Sequence, residues 1–261
     1  MKKKHLLNFP ITLGKYGEIV DEIIALTKRP TSSMVCVANV HMFVEAYKDP
    51  KFLKIIKEAE IVTADGKPLT WALQMLYGIK QDRVAGMDLL PDLLQKMSHE
   101  NLSAYFYGGS QSLLDKTKTF LEKNYPTLNV SGLYSPPFHA LSEEEKKAAI
   151  DRINEAAPKI IFVILGCPKQ EKWMASVKDK VHAVMIGIGG ALPVMLGIQR
   201  RAPRWMQKNG LEWLYRLRQE PQRLFGRYHQ TNRIFIWLML KQLVKKRIVN
   251  PMRGTKEITT D

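Results

Sequence analysis

Short runs of consecutive apolar residues recur along most of the chain. Apolar runs without polar alternation are typical of strands buried on both faces, as in parallel sheets. Such a sheet needs helices on both sides to cover it. Six runs of this kind predict strands at residues 34–40, 61–65, 103–109, 129–134, 159–166 and 182–189.

Stretches with a helical spacing of apolar residues lie between these strands. They predict helices at residues 18–28, 41–58, 88–98, 112–124, 142–156 and 170–177. Ser142 and Glu145 form the sequence signature of a capping box. Because strands and helices alternate, we expect an α/β, Rossmann-like fold with a mainly parallel sheet and flanking helices.

The pattern changes after about residue 195, where no further strand is predicted and only helical spacing remains. Two helices are predicted, at residues 204–219 and 222–247, and Glu220-Pro221 separates them. We therefore divide the chain into an α/β core, residues 1–195, and a helical appendage, residues 196–261.

Charge is distributed unevenly between these two parts. The chain has a formal net charge of +15, and residues 196–261 hold 15 Lys and Arg against 4 Asp and Glu. Basic blocks of this kind bind nucleic acid, anionic lipid or phosphorylated ligands, or simply form a solvated face. The composition therefore directs attention to the appendage as a contact surface.

Cysteine content and hydropathy limit the cellular location. Cys36 and Cys167 both lie in apolar runs, so we expect buried thiols and a reducing cytoplasm rather than a disulfide framework. We also expect no secretory signal peptide. No apolar run reaches the roughly 20 residues that span a bilayer. The protein is expected to lie on a membrane rather than cross it.

Ligands bind open parallel sheets beyond the carboxyl ends of the strands. Asp65 follows a predicted strand and precedes a helix, so from position alone it is either a general base or an ordinary N-cap. The glycines of 108–109 and 187–190 either approach a diphosphate or make tight turns. Gln170 and Glu171 either hold sugar or ribose hydroxyls or only begin a helix.

A histidine–glutamate pair and the arginines of the appendage are two other candidate sites. His41 and Glu45 are one helical turn apart, but two ligands without a third do not make a metal site, so we expect no metal. In the appendage, Arg216, Arg223 and Arg227 are interleaved with aromatic residues. That pattern suits an interfacial membrane helix, a diphosphate clamp, a single-stranded nucleic acid surface, or helices packed on the core.

Several stretches together carry a family resemblance. They are residues 64–66, 83–88, 132–137, 165–173, 187–191, 201–205, 210–216 and 220–223. No single stretch is specific, but the combination in this order is. From about residue 35 to 246 the chain resembles the WecG/TagA/CpsF family of bacterial glycosyltransferases, glycosyltransferase family 26.

The resemblance implies an inverting transfer, typically of N-acetylmannosamine from its UDP form onto undecaprenyl-diphosphate-linked N-acetylglucosamine. It implies no metal and no other cofactor, so arginine would stabilise the charge of the leaving group. Such products feed the synthesis of teichoic acid or other cell-surface polysaccharides.

The resemblance also assigns residues. Asp65 matches the proposed general base, and Asn39 and Gln170 match polar positions of the same pocket. Arg216, Arg223 and Arg227 match arginines thought to close over the site and steady the diphosphate. We accordingly expect catalytic roles for Asp65, Asn39, Arg216 and Arg223. Substrate contacts are expected from Thr63, Gly66, Asp88, Gly108, Gly109, Gly166, Gln170, Glu171, Gly187, Gly189, Gly190 and Arg227.

The expected partners follow from the same resemblance. They are a UDP-sugar donor, bound by residues 1–195 as the catalytic core, and a polyprenyl-diphosphate-linked acceptor. The appendage is expected to close the active site and to contact the cytoplasmic face of the cell membrane. Membrane docking would compete with self-association as a homo-oligomer. No nucleic acid partner is expected.

The chain departs from the family pattern at two positions. Val37 stands where the family often has Thr, and Cys167 replaces a common Ser. These differences leave a glucose-type or uronic donor as an alternative. Two other function classes also stay open: a dinucleotide-dependent oxidoreductase, although no Gly-x-Gly-x-x-Gly is present, and a non-catalytic lipid-binding protein.

Overall fold

A parallel sheet of six strands forms the centre of the computed structural model, which describes residues 1–137, 139 and 142–249. Its strands stand in the order β4-β3-β8-β7-β5-β6. Their bounds are β3 (Ser33–Ala38), β4 (Ile61–Ala64), β5 (Ala104–Gly108), β6 (Val130–Tyr134), β7 (Ile160–Ile164) and β8 (Val184–Gly187). All six strands predicted from the apolar runs are confirmed.

Helices cover both faces of the sheet, as continuously apolar strands require. One face carries α2 (Val40–Lys48), α3 (Pro50–Glu58), α4 (Lys67–Tyr77), α7 (Glu143–Ala156), α8 (Lys169–Val177) and α12 (Pro221–Val249). The other carries α1 (Tyr16–Leu26), α5 (Gly86–His99), α6 (Gln111–Asn124) and α9 (Ala191–Met195). The α/β, Rossmann-like fold class is therefore confirmed.

Two predicted helices were wrong because each is broken into a pair. The helix predicted at 41–58 is two helices, which separate at Asp49. The backbone of Asp49 is extended before Pro50, and its carboxylate accepts from Lys51 N at 2.9 Å. The prediction at 204–219 divides into α10 (Arg204–Lys208) and α11 (Glu212–Gln219), with Gly210 between them at φ +71°.

An N-terminal hairpin was missed altogether. Strands β1 (Lys3–Leu6) and β2 (Phe9–Thr12) pair antiparallel. Their sequence mixes basic residues with Pro10 and lacks a continuous apolar run. Only the context reveals the role: Leu6, Phe9 and Ile11 are buried under the face that α2, α3 and α4 cover.

The appendage packs on the core instead of standing apart from it. Helix α12 lies against α2 and α4, with the rings of Phe43 and Phe235 edge to face at 5.3 Å. Farther along, Lys246 Nζ donates to Leu76 O at 2.8 Å. Within the described ranges, no helix combines the length and apolar character needed to cross a bilayer. The tail from residue 250 lies outside the described residues.

Candidate active site

The site lies where the chain leaves the carboxyl ends of the central strands. Strands β3 and β4 pair in register up to Ala38 and Ala64, so the next residues, Asn39 and Asp65, lie side by side. Asp65 N donates to Ala38 O at 2.8 Å. After β3 the chain enters α2 on one face, whereas after β8 it enters α9 on the other. This divergence opens the crevice in which α/β sheets bind ligands.

Asn39 is the N-cap of α2. Its Oδ1 accepts from Met42 N at 3.2 Å, which satisfies one of the free donors of the first helical turn. The amide nitrogen of the side chain is left for another partner. Asn39 is therefore held in one orientation at the edge of the crevice.

Asp65 is partly buried at the start of the turn that leads through Gly66 into α4. Burial raises the pKa of this carboxyl to about 6. The charges of Arg83 and Arg216 lower it and those of Glu212 and Asp88 raise it. The carboxylate is thus ionised at neutral pH but remains basic enough to take a proton.

Four charged side chains form a ring of ion pairs beside Asp65. Arg83 donates to Glu212 Oε2 at 2.6 Å and to Asp88 Oδ2 at 2.9 Å. Arg201 contacts Asp88 Oδ1 at 2.5 Å, and its Nε lies 3.9 Å from Glu212 Oε1. We call Arg83, Asp88, Arg201 and Glu212 the ion-pair ring. It joins the loop before α5, and α5 itself, to the appendage.

The observed contacts of Asp88 differ from its predicted role. Sequence reasoning assigned this residue to the substrate, but its two carboxylate oxygens face two arginines. The Arg83 and Glu212 side chains are each only 15% exposed. Removing one of them would leave the other as an unpaired charge that is largely shielded from water. A substrate contact by Asp88 stays a prediction, and its observed contacts are with Arg83 and Arg201.

Arg216 lies one helical turn after Glu212 on α11, on the same side of the helix. Its Nη2 is 2.8 Å from the place where a Cβ at Gly190 would stand. Gly190 thus leaves room for a guanidinium at the loop that follows β8. The side chain brings a positive charge from the appendage to within electrostatic reach of Asp65.

Arg223 and Arg227 lie at the start of α12. Arg223 pairs with Glu220, from Nε to Oε2 at 3.1 Å, and its side chain is half exposed. Arg227 is partly buried. Burial of the His41 ring lowers its pKa, and the charge of Arg227 lowers it further. Burial raises the pKa of the Tyr228 phenol. The charges of these two arginines and of Arg216 lower it, and that of Asp65 raises it. The roles predicted for these three arginines stay predictions, and Tyr228 was not among the predicted site residues.

The opposite wall of the crevice is built around Gln170, which is almost fully buried. Its Oε1 accepts from Gly166 N at 3.1 Å and its Nε2 donates to Glu171 Oε1 at 2.7 Å. A Cβ at Gly187 would meet Gln170 Nε2 at 2.6 Å, and one at Gly189 would meet Oε1 at 3.4 Å. These glycines accommodate the Gln170 side chain.

Glu171 is completely enclosed. Burial raises the pKa of its carboxyl to about 7, against the lowering effect of hydrogen bonds from Gln170 and Cys167. Thr63 is equally enclosed, and its hydroxyl donates to Val84 O at 3.0 Å. Neither side chain is accessible in this conformation, so their substrate contacts stay predictions.

The glycines after β5 are explained by packing. Gly108 and Gly109 adopt φ of +103° and +80°, which favours glycine. A Cβ at Gly108 would meet Leu165 Cδ2 at 2.9 Å, and one at Gly109 would meet Leu113 Cδ2 at 2.9 Å. The structure therefore favours a tight turn at this point, and diphosphate binding by these two residues stays a prediction.

The positions of the possible metal ligands bear on whether the site could hold a metal ion. Among the residues that the structure describes, no three His, Cys, Asp or Glu side chains come together as a metal site would need. His41 Nδ1 lies 3.9 Å from Glu45 Oε1, and burial lowers the pKa of the imidazole. The cations gathered at the crevice are arginines.

The arrangement suits a reaction in which a base removes a proton while negative charge grows nearby. For such a reaction, Asp65 is the predicted base, and Arg216, Arg223 and Arg227 are the predicted source of charge stabilisation. Arg83, Arg201 and Glu212 were not singled out from the sequence. The signal that could have found them is their presence in the stretches 83–88, 201–205 and 210–216.

An α/β fold with this carboxylate and these arginines at its carboxyl edge fits an enzyme of the glycosyltransferase class. The chain belongs to the WecG/TagA/CpsF family of glycosyl transferases, whose family model matches residues 4–249. It is 28% identical over 192 residues to the N-acetylglucosaminyldiphosphoundecaprenol N-acetyl-beta-D-mannosaminyltransferase of Bacillus spizizenii, covering 73% of each protein. The chain is a glycosyltransferase, and the oxidoreductase and non-catalytic alternatives are set aside.

Proposed function

We propose that this enzyme transfers N-acetylmannosamine from a UDP donor to N-acetylglucosamine carried on a polyprenyl diphosphate. The name of the Bacillus spizizenii relative supports the sugar and the acceptor class. The observation that carries the proposal is the placement of Asp65: its pKa of about 6 suits a general base, and arginines lie close to it.

In the proposed reaction, Asp65 takes the proton of an acceptor hydroxyl as that oxygen attacks the anomeric carbon of the donor. The bond from that carbon to the diphosphate oxygen breaks, and its electron pair leaves with UDP. Attack from the opposite side inverts the anomeric configuration. Because negative charge grows on the leaving diphosphate, the transition state gains more than the ground state from nearby guanidinium groups.

The three arginines have different starting positions. Arg216 already lies at Gly190, beside the loop after β8. Arg223 is paired with Glu220, so binding of a diphosphate would exchange a carboxylate partner for a phosphate one. The charge of Arg227 acts on both His41 and Tyr228 and lowers their pKa values. Together they would hold the leaving group from more than one direction.

We further propose that the enzyme works at the cytoplasmic face of a membrane, bound through the appendage and without spanning it. The appendage is basic and also exposes large apolar side chains, a combination that favours an anionic lipid interface. Those side chains include Trp205, Trp213, Leu214, Phe225, Ile236, Trp237, Leu240 and Val244. Self-association through the same surface would compete with docking.

The test is UDP release from a panel of UDP-sugars, with a polyprenyl-like diphospho-N-acetylglucosamine as acceptor. We expect acceptor-dependent release with UDP-N-acetylmannosamine and loss of release in Asp65→Asn. Preference for a UDP-glucose or UDP-uronate donor would replace the sugar but keep the reaction class. Equal turnover by Asp65→Asn would remove Asp65 from its role.

Membrane docking is tested separately by sedimentation with vesicles. Binding to vesicles that contain an anionic lipid, weakened in Trp237→Ser, would support the appendage as the docking surface. Equal binding to neutral and anionic vesicles, or none, would contradict it. Turnover on a water-soluble acceptor should stay unchanged in Trp237→Ser, because this side chain is exposed on α12.

A further inference from the structure

The ion-pair ring is the strongest polar link between the core and the appendage among the contacts the structure describes. Arg83 and Asp88 come from the core, and Arg201 and Glu212 from the appendage. The two short contacts that cross between them are Arg83 to Glu212 at 2.6 Å and Arg201 to Asp88 at 2.5 Å. Each part contributes one arginine and one carboxylate, and each arginine contacts the carboxylate of the other part.

The position of the ring relates it to the chemistry. Glu212 and Arg216 share one face of α11, one turn apart, so fixing the first also fixes the second. Arg216 in turn occupies the space beside Gly190. A guanidinium that must meet a transferring group has to be placed within a few tenths of an ångström, and supporting contacts provide that precision.

The ring is not fully closed. Arg201 Nε and Glu212 Oε1 are both buried, lack a hydrogen-bond partner among the described atoms, and lie 3.9 Å apart. A shift of about 1 Å would turn this contact into a hydrogen bond. The ring therefore has one side that can tighten when α11 moves closer to the core.

We propose that the ion-pair ring is a latch that holds the appendage on the core, with Glu212 as the positioning residue that sets Arg216 beside the reacting groups. The holding part stands on geometry alone. The positioning part rests on the proposed function, because it requires that Arg216 stabilise the leaving group.

Hydrogen exchange of the free enzyme tests the latch without any substrate. Glu212→Gln and Arg201→Gln each remove one appendage member of the ring. In both variants we expect amide exchange in residues 199–219 to become about tenfold faster, with the central strands unchanged. Glu143→Gln is the control, because it breaks an exposed ion pair with Lys146 on α7. Exchange within about twofold of wild type in both variants would overturn the latch.

Turnover then tests the positioning role. We expect kcat to fall by about a hundredfold in both variants while the KM for the donor changes little, because the arginine is displaced rather than removed. Faster exchange with unchanged kcat would overturn the role of Glu212 but keep the latch. If wild type shows no transfer at all, the exchange result still decides the latch, so the two failures are distinguishable.

Discussion

Two carboxyl groups with raised pKa values lie on opposite walls of the crevice, and their surroundings differ. Asp65 follows β4 and has the guanidinium groups of Arg83 and Arg216 within electrostatic reach. Glu171 lies in the first turn of α8, where its neighbours are the amide of Gln170 and the thiol of Cys167. Burial raises both pKa values, to about 6 and about 7.

The difference supports a catalytic role for Asp65, as proposed, and a packing role for Glu171. Asp65 is only partly buried, so a hydroxyl can reach it, and the nearby cations keep it ionised at neutral pH. Glu171 is enclosed and holds Gln170, which in turn fills the space left by Gly187 and Gly189. A raised pKa therefore does not identify a catalytic residue by itself. Access and the kind of neighbour decide between the two roles.

The largest effect is expected from Asp65→Asn, which keeps the shape but removes the base. We predict a fall in kcat of about 10³-fold, within the range for loss of a general base. The wild-type rate should also decline as pH falls through about 6, because protonation of Asp65 removes the acceptor for the hydroxyl proton.

A pH–rate profile of kcat/KM checks this prediction, with circular dichroism to confirm that the variant is folded. Glu171→Gln serves as the matched variant, since it removes a carboxyl with a similarly raised pKa from the enclosed wall. It should keep the acid limb near pH 6. Loss of that limb in Glu171→Gln instead would reverse the roles assigned to the two carboxylates.

A smaller effect is expected from Arg216→Gln, which removes one charge from the Asp65 wall. The predicted loss in kcat is about 10²-fold, comparable to the removal of one donor from a charge-stabilising site. Arg216→Lys should recover part of it, because an ammonium keeps the charge but not the planar fork. Steady-state rates with saturating donor measure both, and equal activity of Arg216→Gln and wild type would exclude Arg216 from the reaction.

The pattern of apolar residues was enough to predict the strands of the parallel sheet, because each strand is a continuous apolar run. It failed at Asp49, where a helical spacing of apolar residues continued across a proline that ends one helix and begins the next. The location of Asp65 could be predicted because sheet topology alone places strand ends at the ligand crevice. These features depend on local sequence.

The ion-pair ring could not be predicted because its members are far apart in sequence. Arg83 and Glu212 are 129 positions apart and meet only when α11 packs beside the loop before α5. Likewise, the sequence alone does not show whether the glycines near Gln170 bind a ligand or make room for a side chain. Their distances to the Gln170 amide show that they make room for it. Long-range contacts of this kind carry no periodic signal along the chain.

The smallest effect concerns stability and isolates Glu171. Its pKa in the folded protein is raised to about 7 from an ordinary value of 4.5, so the folded state favours the protonated form. The stability that this gives is fully present below about pH 4.5 and is lost as pH rises through about 7. Relative to wild type, Glu171→Gln should therefore gain roughly 2–3 kcal/mol in free energy of unfolding between pH 5 and pH 8.

Urea denaturation at both pH values measures the difference, with Glu143→Gln as the control. Glu143 is exposed on α7, and its pKa is lowered chiefly by the hydrogen bond from Lys146, so its removal should not produce a gain that grows with pH. If wild type and Glu171→Gln lost stability in parallel between pH 5 and 8, Glu171 would not be charged in a dry environment. The difference between Asp65 and Glu171 would then consist only of the arginines near Asp65, and burial of a charge would not explain how Glu171 is held.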